Sequence, residues 1–301
     1  MTHKTAVTFL TIQTFVVSLG YILTKAIGFD MDPFSILFFR AFITGLVSFL
    51  LIQVLYKTEA SEINESKALW KLSFLAVPLN QSCFLIGIHY TSTGEAAVIY
   101  ALVPVITYLI SLFRKEEFFE IKRMSGVLIA FIGVLIILLS THTAFSAGHL
   151  WGNLTILAGA VTWAFYTVES RRFSIRYNPF VFSLKMLTHG AVWSFPLIIW
   201  VVFNGVPLST KPEVWGVIGY LAIFGTIVSY ALWVTGLKVL EPSRVAIFTN
   251  GQPIMTTILS YFILSQAITL PFLAGGILVI SGVLITQYAG LWNYAKGKNI
   301  K

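Results

Sequence analysis

Ten apolar stretches, each about 18 to 25 residues long, divide this 301-residue chain. A helix rises 1.5 Å per residue, so about 20 residues cover the ~30 Å hydrocarbon layer of a bilayer. The approximate limits are 6–27, 34–56, 70–90, 94–113, 124–141, 151–170, 179–203, 213–236, 243–264 and 268–291. Backbone polar groups in hydrocarbon must be satisfied within their own segment, which makes these segments helices. Composition agrees. The chain is 57% hydrophobic and 11% charged, with a mean hydropathy of +0.84. A soluble domain carries about 25% charge. The expected fold class is an all-α polytopic membrane protein with ten transmembrane helices. Short connections leave no room for a soluble domain, and the longest, 57–69, is a polar loop with nothing resembling a site.

The formal net charge of +8 would point to nucleic acid if the cations formed one soluble face. They fall instead between apolar segments, as topology signals do, so nucleic acid is not an expected partner. The single cysteine, Cys83, excludes an intrachain disulfide. After Lys4 an apolar run begins without a small-residue cleavage site, which reads as a first span and not as a removed signal peptide. With the N-terminus in the cytoplasm, 16 of the 20 basic residues lie on the cytoplasmic side and only Lys211 lies opposite. Lys25, Arg40 and Lys185 remain within spans. That asymmetry places both termini in the cytoplasm, in what is expected to be a bacterial inner (plasma) membrane.

The chain also repeats itself. The stretch 84–117 returns 149 residues later: Gly87 meets Gly236, Glu95 meets Arg244, Pro104 meets Pro253, and Gly126 and Gly133 meet Gly275 and Gly282. In the second segments the offset is 146, where Asp32-Pro33-Phe34 precedes Arg40 and Asn178-Pro179-Phe180 precedes Lys185. The reading is two five-helix halves, 1–141 and 142–301, forming one integral membrane unit. Five is odd, so the second half enters the membrane from the other side, as an inverted repeat.

These residues resemble the EamA branch of the drug/metabolite transporter superfamily over essentially the whole chain. The resemblance rests on the five-plus-five repeat, on Gly94-Glu95-Ala96-Ala97 followed by Pro104, and on the acidic pair Glu116-Glu117. The closing segments 126–137 and 275–286, Trp163-Ala164-Phe165-Tyr166 and Arg171-Arg172 also carry it. Three departures stand out: Ser265-Gln266 replaces the acidic pair in the second half, Arg244 replaces Glu95, and Leu19-Gly20-Tyr21 replaces a Trp-Gly pair in the first span. The resemblance implies transport of a small organic solute through a cavity between the halves; family members export amino acids and other metabolites.

The residues themselves nominate a site. Inverted-repeat carriers bind near mid-membrane, beside interrupted helices. Pro104 and Pro253 each remove a backbone donor and free a carbonyl one turn back, with a plain structural kink as the alternative. Thr249, Asn250 and Gln252 precede Pro253, and carboxamides in mid-span are costly unless they face protein or water. Asn80 and Gln81 offer a second polar cluster after Pro78. Helix-to-helix hydrogen bonding is the other use for such groups. Tyr100, Trp163 and Tyr166 could wall a cavity or simply pack, as could Tyr108, Tyr230 and Trp233. Arg40 could pair with a solute carboxylate or close an outer gate, against snorkelling to the interface. Lys185 mirrors it at the inner side. Glu95 is read as a proton carrier or as an N-terminal helix carboxylate, His189 as a titrating group or a packed hydrogen-bonder, and Glu169 as an inner-face ion pair with Arg171 and Arg172. The glycine pairs, seven residues apart, read as close helix packing, within the subunit or across a homodimer.

No catalytic, phosphate-binding or metal-ligand motif is present, so neither an enzyme nor a cofactor is expected. The expected function is a secondary or facilitative carrier, an exporter of an amino-acid-like metabolite that works by alternating access. An ion or solute channel is the alternative, but a channel would more naturally show a filter loop or symmetric pore helix.

Overall fold

The computed structural model describes residues 1–301 apart from 28–29, 92–95, 97–98, 140–149, 204, 206–207, 265–269 and 296–301. At 25–27, 33, 85, 88–89, 138–139, 200, 260, 264 and 290–295 it describes the backbone alone. The described residues are helical or irregular, without strands. In chain order the α-helices are α1 (His3–Ile27), α2 (Pro33–Leu55), α3 (Lys57–Glu62), α4 (Ser66–Phe74), α5 (Asn80–Tyr90), α6 (Val103–Phe113), α7 (Ile121–Leu139), α8 (Leu150–Arg176), α9 (Pro179–Ser194), α10 (Leu197–Phe203), α11 (Pro212–Ala222), α12 (Ser229–Leu237), α13 (Pro242–Ala246), α14 (Gln252–Leu264) and α15 (Leu270–Ala295). The polar stretch 57–69 is not a loop throughout: it holds α3 and the first residues of α4. Ala60 and Ile63 are buried there, which anchors an otherwise polar segment.

Among the described residues three joins are distorted helix. Leu75–Leu79 and Ile223–Val228 are π-helical, and Ile247–Gly251 is a 3₁₀ turn. Pro78 lies inside the first; lacking an N–H and clashing with the carbonyl four residues back, it forces the helix to widen. Among the described residues, four helical spans are long and apolar enough to cross a membrane: His3–Thr24, Phe34–Leu55, Pro212–Leu237 and Leu270–Ala289. Pro179–Ser194 with Leu197–Phe203 makes a fifth if that bent pair is one span.

The helix starts follow from local chemistry. Asp32 accepts from Ser35 N–H at 3.0 Å and is followed by Pro33 at the first helical position of α2. Asn178 accepts from Phe180 N–H at 3.0 Å and is followed by Pro179 at the start of α9. A short side-chain acceptor as cap and a proline already missing its N–H form the same starting device twice.

The chain packs as two compact units, residues 1–86 with 169–240 and residues 87–168 with 241–301. Each therefore draws on both halves of the sequence. In the first unit α2 packs on α9. Tyr56 meets Phe180 with ring centroids 5.7 Å apart, Gly45 abuts Ala191, and Phe38 meets Phe195 at 6.3 Å. Rising numbers on one helix meet falling numbers on the other, so the pair is antiparallel. α1 runs antiparallel to the α11–α12 segment: Leu10 fills the space over Gly236, Gln13 Nε2 donates to Ser229 Oγ at 3.0 Å, and Tyr220 Oη donates to Val16 O at 3.0 Å.

In the second unit α7 packs along α15. Gly126 abuts Gly282 and Thr286, and Gly133 abuts Gly275 and Val279. A Cβ on Gly133 would sit 2.6 Å from Gly275 O, and one on Gly275 would sit 2.5 Å from Gly133 O. The backbones touch, and only glycine permits it. The glycine pairs thus serve packing within the chain. Val134, Ile137, Phe272 and Val279 form the apolar layer around them.

Candidate functional site

In the first unit a small cavity of about 10 Å³ is lined by Arg40, Ala41 and Thr44 of α2, Val77 and Gln81 of the third segment, Leu187 of α9 and Thr226. That volume holds about one water molecule. Both π-helical turns reach it, through Val77 and Thr226. Residues equivalent in the repeat meet there. Val77 and Thr226 are 149 positions apart, and Ala41 and Leu187 are 146 apart. Gln81 is equivalent to Tyr230 at the 149 offset, and the Gln81 side chain hydrogen-bonds Tyr230. The cavity lies where the matched helices present matched positions to one another.

Arg40 supplies the charge. Its Nε donates to Thr226 Oγ1 at 2.8 Å, and the Thr226 hydroxyl donates in turn to Leu221 O at 2.8 Å, a carbonyl five residues back in the widened helix. Thr44 Oγ1 donates to Ala222 O at 3.2 Å, and Tyr230 Oη donates to Ala76 O at 3.0 Å. Carbonyls in and just before the two distorted turns thus accept from hydroxyls around the cavity. Arg40 is half-buried and forms no ion pair with a carboxylate among the described residues. Asn80, buried, lies one residue before Gln81.

In the second unit the 3₁₀ turn Ile247–Gly251 holds Thr249 and Asn250, and Gln252 opens α14. Thr249 Oγ1 donates to Ala246 O at 2.8 Å. Asn250 is 1% exposed, and among the described residues neither end of its carboxamide has a hydrogen-bond partner. A buried, unsatisfied amide is a rare and costly feature. Tyr100 and Trp163 pack with Val103, Ala160 and Ala246, and the Trp163 and Tyr166 rings are 5.1 Å apart. The sequence-nominated residues therefore gather in two places: Arg40 and Gln81 in the first unit, and Asn250, Tyr100, Trp163 and Tyr166 among the elements of the second.

The gating candidates are tied down. Lys185 Nζ donates to Ala60 O at 2.7 Å and Ile63 O at 2.8 Å, which satisfies carbonyls at the end of α3. His189 Nδ1 carries its proton toward Lys185 O at 2.6 Å, and the ring stands edge-on to Trp70 at 4.3 Å. Glu169 pairs with Arg172 at 3.8 Å. Glu95 lies outside the described residues. Pro104 lies in the first turn of α6, where a proline costs little.

Sequence reading missed Thr44, Thr226 and a buried charge network. Glu117 accepts from Arg123 Nη1 at 2.5 Å, from Ser243 N–H at 2.9 Å and from Ser243 Oγ at 2.5 Å. Arg123 and Arg244 pair with Glu241 at 3.1 and 2.7 Å. Arg244 Nη1 donates to Gln287 O, and Gln287 Nε2 donates back to Arg244 O. Two signals in the sequence bear on these groups: Pro78 for the first distortion, and the acidic pair before Arg123 for the network.

Known proteins carry the same pattern. The profile of the EamA-like transporter family matches residues 4–139 and again 150–288. A Bacillus subtilis protein named uncharacterized transporter YyaM is 28% identical over 91% of this chain and 93% of its own. An Archaeoglobus fulgidus transporter is 25% identical over 85% of this chain and 88% of its own. The uncharacterized inner membrane transporter YedA of Escherichia coli is 28% identical over 64% of this chain and 62% of its own. One solved crystal structure, 18% identical, superposes at a TM-score of 0.83 over 99% of this chain and all of that one, which establishes the fold. The chain is an integral membrane protein and belongs to the EamA-like transporter family.

Proposed function

We propose that this protein is a secondary or facilitative carrier that exports a small polar metabolite of amino-acid type across the plasma membrane, by alternating access. Its ten segments form two inverted five-helix halves, with both termini cytoplasmic. The carrying observation is the cavity lined by repeat-equivalent residues, Val77 with Thr226 and Ala41 with Leu187, where two π-distorted helices meet. Repeat-related distortion beside a cavity is how inverted-repeat carriers build a site. Supporting the inversion, the equivalent helices α2 and α9, and likewise α7 and α15, run antiparallel.

Within the second unit, Asn250 is the hydrogen-bonding candidate for the solute. Its unsatisfied amide is retained because the solute completes it. Purified protein in liposomes is expected to move a labelled solute from an amino-acid mixture without ATP. Asn250→Leu is expected to keep the fold and lower the initial rate at least about tenfold, the effect of losing one to two hydrogen bonds to a polar solute. Unchanged transport in Asn250→Leu would remove the residue from the site.

A further inference from the structure

The geometry points to Arg40 as the binding point for a carboxylate of the transported solute, in a pocket completed by Thr226, Thr44 and Gln81. The inference rests on the carrier reading and narrows its substrate to carboxylate-bearing solutes.

Three observations carry it. First, a guanidinium within a membrane span is expensive and is normally paired. Arg40 has no carboxylate partner among the described residues; its one hydrogen bond is from Nε to a neutral hydroxyl. Second, that bond fixes the plane of the group. Thr226 is itself held by its bond to Leu221 O, so Nε is anchored and the terminal nitrogens remain to take a ligand. A planar fork so held matches a carboxylate with two parallel hydrogen bonds. Third, the cavity beside it has room for about one water. Such a space takes one oxygen of a carboxylate in place of that water, with the rest of the solute outside it, and excludes a whole sugar or nucleoside. The Gln81 carboxamide at the rim has one hydrogen bond, to Tyr230, and retains capacity for a neighbouring polar group of the solute.

The repeat sharpens the assignment. The position equivalent to Arg40 is Met186, and the one equivalent to Thr44 is Gly190. The cation and the Thr44 hydroxyl come from the first half, and the Thr226 hydroxyl that anchors the cation comes from the second. The pocket is therefore built on matched walls with a charge on one side, and it gives the solute a single orientation.

Binding and transport are read separately. The full chain, purified in detergent, is heated with acetate, L-lactate, succinate or each common amino acid, and with the neutral amide or alcohol of the same skeleton. A ligand of the native state raises the apparent melting temperature. The expected result is a shift only with carboxylates, abolished in Arg40→Gln and partly kept in Arg40→Lys. In liposomes Arg40→Gln raises KM about 10- to 100-fold, the loss of a charge-assisted bidentate pair. If Arg40→Gln does not fold, Thr226→Val leaves the cation and removes its anchor, and a raised KM for the same carboxylates is expected. Equal shifts with the amides, or no carboxylate shift that depends on Arg40 or Thr226, overturns the pocket. Transport at unchanged KM in Arg40→Gln overturns it too but leaves the carrier standing. Arg40-dependent binding without any transport supports the pocket and sinks the carrier.

Discussion

Glu117 shows how much one side chain can decide. It is almost wholly buried, yet its carboxylate takes three charge-assisted bonds, from Arg123 and from the backbone and hydroxyl of Ser243. Arg123 is equally buried and reaches both Glu117 and Glu241. Removing one partner leaves a buried charge uncompensated, which costs about 3–5 kcal/mol. Arg123→Ala is therefore expected to lower stability in detergent by that amount, measured by reversible denaturation or as a fall in melting temperature. Arg123→Ala with Glu117→Ala and Glu241→Ala is expected to recover part of the loss. Asn250 is the opposite case. Its carboxamide makes no hydrogen bond among the described residues, so an apolar replacement is expected to hold or raise stability while transport falls. That pairing of outcomes separates a site residue from a structural one.

At the scale of elements, the glycines of α7 and α15 set the distance between the two helices. Gly133→Val places a branched side chain where Gly275 O and Val279 already stand. The expected cost is about 1–3 kcal/mol or more, from overpacking that the touching backbones cannot relieve. It is read as lost yield of monodisperse protein or a lowered melting temperature. Gly276, with open space around it, is the control: Gly276→Ala is expected to be neutral or mildly stabilising through helix propensity. The sequence reading named these glycines as packing because equal spacing put each pair on one face. It could not say which partner they meet, since within-chain and between-chain contacts leave the same periodic signature. The distorted turns were half legible. Pro78 marks the first, whereas Ile223–Val228 contains no proline, and its widening follows from hydrogen bonding around Thr226. A hydroxyl that bonds five residues back looks in sequence like any other threonine.

At the scale of the whole molecule, the helical membrane class and the family were readable because apolar segments of bilayer length and the spacing of glycine and proline are written along the chain. The packing was not. The compact units join residues 1–86 to 169–240 and residues 87–168 to 241–301, and no local pattern records that exchange of helices between halves. The charge asymmetry makes a separate prediction. In cells carrying a Cys83→Ser background, Ser209→Cys beside Lys211 is expected to react with a membrane-impermeant maleimide from outside, whereas Ser61→Cys reacts only after the membrane is opened. The reverse pattern would invert the topology.

The central claim is that one site is exposed alternately to the two sides. Counterflow tests it most directly: liposomes loaded with a high concentration of unlabelled solute are diluted into a trace of the labelled one. The account predicts a transient accumulation of label above its outside concentration, reduced in Asn250→Leu and in Arg40→Gln. Label that only rises to equilibrium, with a rate indifferent to the internal solute, would mean an open channel and would contradict the carrier.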